Sequence, residues 1–92
     1  MALEKVKTLE KLRKNIDAVD EQLARLLVQR FKLSGEIAEY KRQKNILILD
    51  QERETEIIED RTRQFKELGF DDERFAAELF GLILRRSREA QR

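Results

Sequence analysis

The stretch LRKNIDAVDEQLARLLVQRFKLSGEIAEYK, residues 12–41, decides the fold class of this 92-residue chain. Apolar residues recur along it, and just before it, at alternating steps of three and four, which is the spacing of one face of a helix. This apolar seam consists of Leu9, Leu12, Ile16, Val19, Leu23, Leu26, Leu33, Ile37 and Tyr40. The seam position after Leu26 is 30, where the sequence has an arginine. The pattern predicts one long helix whose apolar face is interrupted by a permanent charge.

The rest of the chain keeps the helical period and shows no convincing strand alternation, so we predict an all-α fold of three helices. The first helix should run from about Leu3 to about Gln43, because its one glycine, Gly35, costs only about 1 kcal/mol. The apolar segment KNILILD, residues 44–50, interrupts the charged helical pattern and is the predicted first loop.

Residues with strong positional preferences predict the ends of the two shorter helices. Asp50 is suited to cap the start of the second helix, and Gly69 is suited to end it. Asp71 is the predicted N-cap of the third helix. Phe70 and Phe75 flank Asp71 with the spacing of a hydrophobic staple, which would fix the angle at which the chain enters this helix.

The length of the first helix bears on assembly. At 1.5 Å per residue the helix spans roughly 60 Å, whereas a single compact domain of residues 1–92 is only about 30 Å across. Half of the helix would then stand in water with its seam exposed. We therefore expect an intertwined helical-bundle homodimer, in which two chains lay their long helices together and the shorter helices pack onto the shared core.

Composition narrows the function. Charged residues make up 42% of the chain, yet 20 basic residues are nearly balanced by 19 acidic ones, so a net charge of +1 gives no argument for nucleic acid or a membrane as partner. No membrane-length apolar run and no signal-peptide pattern is present, so we expect a cytoplasmic protein. Without cysteine or histidine, the commonest metal ligands and general base are missing, and we expect no metal and no cofactor.

Arg30 and Lys41 form the first candidate site. They are displaced by only about 20° around the helix and lie roughly 16 Å apart at the backbone, with Ser34 and Ile37 on the same stripe. Their long side chains can therefore converge on a small anion. The alternative is that both side chains snorkel to the surface and cover apolar atoms with their stems. An arginine on the seam needs a partner, because an unpaired buried charge is costly.

Arg13 is the second candidate. It lies 17 residues before Arg30, about 25 Å along the same helix, which is farther than a side chain reaches. In an antiparallel pair, the start of one helix lies beside the middle of the other, so Arg13 of one chain can meet Arg30 of its partner. Taken alone, Arg13 is also compatible with a solvated surface position.

Two polar groups on the shorter helices complete the candidate set. Asp50, Arg53 and Glu54 open the second helix, where acidic residues are ordinary and a cation is unfavourable. Ser87 and Gln91 lie one turn apart on the third helix, although exposed polar residues are also common near a chain end. Each group is a weak signal alone.

The joint pattern resembles the all-helical, AroQ-type chorismate mutases over nearly the whole chain. The resemblance rests on LRKNIDAVDEQLARLLVQR around Arg13 and Arg30, on the nine-residue step from Lys41 to Asp50, and on the D-x-x-R-E motif of residues 50–54. It implies an isomerase of aromatic amino acid biosynthesis that rearranges chorismate to prephenate within one molecule. Such a reaction requires no nucleophile, metal or cofactor.

The resemblance also implies a role for each candidate residue. Arg13, supplied by the other subunit of the homodimer, and Arg30 would bind the two substrate carboxylates. Lys41 and Gln91 would donate hydrogen bonds to the ether oxygen of chorismate, where negative charge develops. Arg30, Lys41 and Gln91 are therefore the predicted catalytic residues.

The remaining four positions would complete substrate binding. By the same resemblance, Arg53 would assist the carboxylate of the enolpyruvyl side chain. Asp50 and Glu54 would hold the ring hydroxyl, and Ser87 would contact the ring carboxylate or hydroxyl region.

Three alternatives remain open from the sequence. An isochorismate–pyruvate lyase would use a similar cationic pocket in the same fold. A regulatory module would act together with another enzyme of the shikimate pathway. A non-catalytic helical dimer would use Arg30 only as a polar residue that sets the register of its helices.

Overall fold

The computed structural model of the chain describes residues 2–47 and 50–90, with side chains described for residues 8–47 and 50–89. Helix α1 spans Ala2–Gln43, α2 spans Gln51–Glu67 and α3 spans Glu73–Ala90. No strand occurs in these ranges. The prediction of an all-α chain with three helices and a long first helix is confirmed.

Helix α1 ends in a left-handed residue. Asn45 has φ of 56°, its amide donates to the carbonyl of Arg42, and the amide of Ile46 donates to the carbonyl of Lys41 at 2.8 Å. This pair of bonds is a Schellman motif, in which asparagine is the usual substitute for glycine. The predicted loop thus begins where the motif closes off the carbonyls of the last helical turn.

Helix α2 has well-formed caps at both ends. The Asp50 side chain accepts a hydrogen bond from the Arg53 amide at 3.0 Å, which confirms Asp50 as the N-cap. At the other end Leu68 is the C-cap, and Gly69 follows it with φ of +92°, a conformation that favours glycine. Gly69 therefore ends the helix, as predicted.

The predicted cap of α3 was wrong by one residue. The side chain of Asp72, rather than that of Asp71, accepts the hydrogen bond from the Phe75 amide at 3.0 Å. The Asp72 carbonyl also accepts the first helical bond, from Ala76. Two adjacent aspartates offer identical capping chemistry, and the turn that follows Gly69 brings the second of them into the N-cap position.

Aromatic rings connect α2 to α3 through the intervening turn. The ring centroids of Phe70 and Phe75 lie 5.6 Å apart in an edge-to-face arrangement, so the contact expected of the staple is present despite the shifted cap. Phe65 also meets Phe70, Phe75 and Phe80 at centroid distances of 5.6, 6.4 and 6.3 Å. Such tilted pairs are favoured by the ring quadrupoles and hold the two helices at this end.

The chain divides into two compact units, Met1–Lys32 and Leu33–Arg92. The second unit contains the end of α1 together with α2 and α3. Its buried residues come from all three segments: Ala38, Ile57, Ala76, Ile83, Leu84 and Ser87. Small residues at Ala38 and Ala76, each only 1% exposed, allow helices to approach closely in this core.

The apolar seam of α1 is exposed in both units. In the first unit the exposed fractions of its residues run from 48% at Leu9 to 61% at Leu26. In the second unit Leu33, Ile37 and Tyr40 are 49 to 58% exposed. Exposed apolar side chains in a row of this kind mark an interaction surface. Within the described residues, no helix is apolar enough over a sufficient length to cross a membrane.

Candidate functional site

Arg13 and Arg30 both lie on α1 within the first unit. Arg13 is exposed, whereas Arg30 is half-buried although the residues around it on the seam are exposed. The helix is continuous between them, so they stand about 25 Å apart along its axis. One chain alone therefore does not bring these two cations together.

Lys41 lies in the last turn of α1, in the second unit, and is half-buried. Beside it, the Glu39 carboxylate accepts hydrogen bonds from Arg42 at 2.7 and 3.2 Å. The Arg42 guanidinium lowers the pKa of the Glu39 carboxyl below its ordinary value. The charges of Glu39 and Arg42 therefore offset each other. Lys41 adds a positive charge to the last turn of α1.

The start of α2 carries three predicted site residues in different settings. Asp50 is exposed, lines an open groove with Ile46, Leu47 and Gln51, and uses its carboxylate for capping.

Arg53 is exposed, and its Nη1 lies 3.9 Å from a Glu56 carboxylate oxygen in a loose pair on the same helix. Glu54 is half-buried. The N-cap role explains Asp50 structurally, whereas Arg53 has only this loose pair and keeps its side chain available for a ligand.

Ser87 is the most buried of the predicted site residues, at 5% exposure. Its hydroxyl donates to the Ile83 carbonyl at 2.9 Å and accepts from the hydroxyl of Ser34 at 3.3 Å. Ser34 lies on the α1 stripe that also carries Lys41. The hydrogen bond thus connects α1 to α3 at the level where the sequence predicts substrate contacts.

Arg88, which no motif of the sequence singles out, pairs with Glu54 in the structure. The Arg88 Nη1 atom hydrogen-bonds a carboxylate oxygen of Glu54 across α3 and α2. The two residues are 34 positions apart, so no local spacing signals their contact. Because Arg88 directly follows Ser87, this ion pair and the Ser34–Ser87 bond join α3 to both other helical segments at one level.

The second unit brings two of the predicted site residues, Glu54 and Ser87, close to each other. Glu54 and Ser87 lie on neighbouring helices connected by Arg88, and Ser87 contacts α1 through Ser34. Gln91, a predicted catalytic residue, lies outside the described residues. Among the residues described, no three Asp or Glu side chains cluster as a metal site would need. What the unit offers instead is a mixture of hydroxyl, carboxylate and cationic groups suited to binding a polar anion.

Comparisons with known proteins agree with this chemistry. The family model described as chorismate mutase type II matches residues 12–92. A chorismate mutase of Methanocaldococcus jannaschii is 31% identical over 87 residues, which cover 95% of this chain and 87% of that protein. A bifunctional chorismate mutase/prephenate dehydratase of Aquifex aeolicus is 47% identical over 60 residues, covering 65% of this chain but only 17% of that longer protein. No solved structure gives a significant match.

Proposed function

The chain belongs to the type II chorismate mutase family, and from this premise we propose that it isomerises chorismate to prephenate in a site completed by two chains. The family match over residues 12–92 carries this proposal. The enzyme class is accordingly that of the isomerases. We propose that residues 1–92 act as one catalytic domain, in the cytoplasm and without a cofactor.

The reaction explains the residue types available. A Claisen rearrangement makes and breaks bonds within one molecule, so no nucleophile or general base has to act. The enzyme gains rate by selecting the folded conformer of the substrate and by stabilising the negative charge that grows on the ether oxygen. Cations and neutral hydrogen-bond donors perform both tasks, and this chain has them in the absence of cysteine and histidine.

The proposed roles begin with the cations of α1. Arg30 and the partner subunit's Arg13 bind the two carboxylates, where the planar guanidinium group can make paired hydrogen bonds. Lys41 donates to the ether oxygen from one side and Gln91 from the other. The half-burial of Arg30 and Lys41 supports these roles, because partial removal from water strengthens their interaction with a charged ligand.

The remaining roles fall to α2 and α3. Arg53 assists the carboxylate of the enolpyruvyl group, Asp50 and Glu54 hold the ring hydroxyl, and Ser87 contacts the ring carboxylate or hydroxyl region. The burial of Ser87 and its hydrogen bond to Ser34 give it one defined orientation. The side chain of Arg53 is free of strong partners and can turn toward a ligand.

The apolar seam of α1 supports the proposed homodimer. Leu12, Asn15, Ile16 and Val19 line a shallow depression on the surface of α1. Their spacing of i, i+3, i+4 and i+7 is that of the hole which receives a side chain from a partner helix in knobs-into-holes packing. An antiparallel partner helix would cover this surface and carry its Arg13 to the Arg30 of the first chain.

Turnover of chorismate by the purified chain tests the proposal, followed as loss of the substrate's absorbance with isochorismate assayed in parallel. Replacing Lys41 with alanine should cost about 3 kcal/mol of transition-state stabilisation, because a donor to the developing oxyanion is lost. The value of kcat/KM should therefore fall roughly a hundredfold or more. Lys32→Ala provides the matched control, since Lys32 is an exposed lysine on the same helix.

Circular dichroism should give the same helix content for both variants. Near-normal turnover by Lys41→Ala would remove Lys41 from the site. If the chain turns over isochorismate and leaves chorismate unchanged, it is an isochorismate–pyruvate lyase and the proposed reaction is wrong.

A further inference from the structure

We propose that Arg88 is a positioning residue that holds the Glu54 carboxylate for the ring hydroxyl of the substrate. This inference rests on the function proposed above and adds a residue to it. None of the proposed substrate-binding roles uses Arg88, although in the structure it contacts Glu54, which is assigned to substrate binding.

The geometry of the ion pair distinguishes it from an ordinary surface pair. Arg88 and Glu54 join two helices, and their side chains are only 33% and 24% exposed. By contrast, Arg86 pairs with Glu89 three residues along α3, at 4.0 Å and with exposures of 63% and 54%. Surface pairs of the second kind contribute little, whereas a partly desolvated carboxylate depends on its partner.

The helix ends reinforce this arrangement. Glu54 lies in the first turn of α2, and Arg88 lies in the last turn of α3. Each charge is therefore favoured by the dipole of its own helix. The bond engages Oε1 of Glu54, and Oε2 accepts no hydrogen bond from any residue that the structure describes. This second oxygen is the one available to accept from a hydroxyl group.

A substrate with two carboxylates gives the pair a second role. An uncompensated carboxylate at Glu54 would repel the incoming dianion, since like charges in a partly desolvated site interact strongly. The Arg88 guanidinium cancels this charge while leaving the acceptor in place. Arg88 thus allows an acidic residue to recognise the hydroxyl of a strongly anionic ligand.

The test compares Arg88→Met with Arg86→Met, which removes the same charge from the exposed face of the same helix. The Glu54 contact acts on bound substrate and transition state alike, so Arg88→Met should raise KM about tenfold and change kcat less than about threefold. Arg86→Met should leave both constants within about twofold of the parent. Arg88→Lys, which restores the charge, should return KM to within about threefold of the parent value.

The combination with Glu54→Gln separates positioning from direct substrate contact. If Arg88 acts through Glu54, adding Arg88→Met to the Glu54→Gln chain should raise KM by less than about twofold, because coupled residues are not additive. An undiminished tenfold rise in that background would overturn the inference and make Arg88 a direct ligand of the substrate.

Two other results would also refute the positioning role. The first is a lower melting temperature of Arg88→Met with KM unchanged, which would mean that the pair is only structural. The second is failure of Arg88→Lys to restore KM. If Arg88→Met does not fold, Arg88→Gln takes its place with the same expected rise in KM. Activity of the parent chain is measured first, so that loss of the proposed function itself is recognised separately.

Discussion

Replacing Val19 with aspartate should dissociate the proposed homodimer, whereas the same replacement at Val28 should not. The two residues form a matched pair, because both are valines on α1 within the first unit, 60% and 53% exposed respectively. They are nine residues apart, which places them on opposite faces of the helix. Only Val19 lies on the seam, so the comparison isolates the effect of the face.

The magnitude follows from the exposure of Val19. Burying a whole valine side chain stabilises a structure by about 1.5 kcal/mol or more. Val19 is 60% exposed in the single chain, so its burial against a partner helix would stabilise the dimer by about 1 kcal/mol. A carboxylate at the same place adds about 2 kcal/mol for the desolvation of a charge that lacks a partner. The two-fold symmetry of the dimer places the substitution in both chains, so the free energy of association weakens by about 6 kcal/mol. This loss corresponds to a rise of about twenty thousandfold in the dimer dissociation constant.

Sedimentation equilibrium over a range of concentrations measures this constant directly. Val19→Asp should sediment as single chains at concentrations where the parent and Val28→Asp form dimers. Turnover of chorismate should fall together with dimer content, because single chains lack the partner subunit's Arg13. The reasoning is refuted if Val19→Asp assembles as the parent does, or if both variants dissociate equally.

Three further outcomes are expected. If Gln91 has its proposed donor role, turnover of chorismate should change little between neutral and mildly alkaline pH, because an amide donates without being protonated. Gln91→Glu should then confine turnover to acidic pH. A steep alkaline loss in the folded parent would argue against this role. Asp72→Ala should reduce the free energy of unfolding by about 1 kcal/mol because the N-cap of α3 is lost, whereas Asp71→Ala should have little effect. Urea denaturation that showed the opposite order would contradict Asp72 as the cap. Arg30→Leu, which restores the apolar seam, should preserve or strengthen dimerisation while abolishing turnover, and an active Arg30→Leu enzyme would show that no carboxylate is bound there.

The helices could be predicted because each is encoded locally. Apolar residues at helical spacing predict α1 from Leu9 to Tyr40, which is most of its length. Gly69 marks the end of α2, since its φ of +92° suits glycine. Asn45 ends α1 by the same physics. Its role is hard to recognise from the sequence, because asparagine adopts other conformations almost as readily and is a weaker signal than glycine.

Finer local detail depended on geometry that the sequence does not contain. Asp71 and Asp72 are equivalent as capping residues, and only the path of the chain after Gly69 decides between them. The pair of Phe70 and Phe75 was expected from spacing, whereas the convergence of Phe65 and Phe80 on the same cluster needs the packing of α2 against α3.

The candidate site was predictable only in part, for a related reason. Ser87 and Glu54 came from matching a spaced pattern, which says nothing about how they are held. Their holding partners, Ser34 and Arg88, lie 53 and 34 residues away in the sequence. Contacts over such separations arise from tertiary packing and leave no periodic signal.

The proposal that each site uses Arg30 of one chain and Arg13 of the other is tested most directly by mixing two inactive variants. Arg13→Ala and Arg30→Ala homodimers should each be inactive, since every site lacks one arginine. After exchange of chains, each mixed dimer contains one intact site and one doubly defective site, so the equimolar mixture should recover about a quarter of the parent activity. A mixture that exchanges chains, as native mass spectrometry would show, yet stays inactive would contradict the shared site.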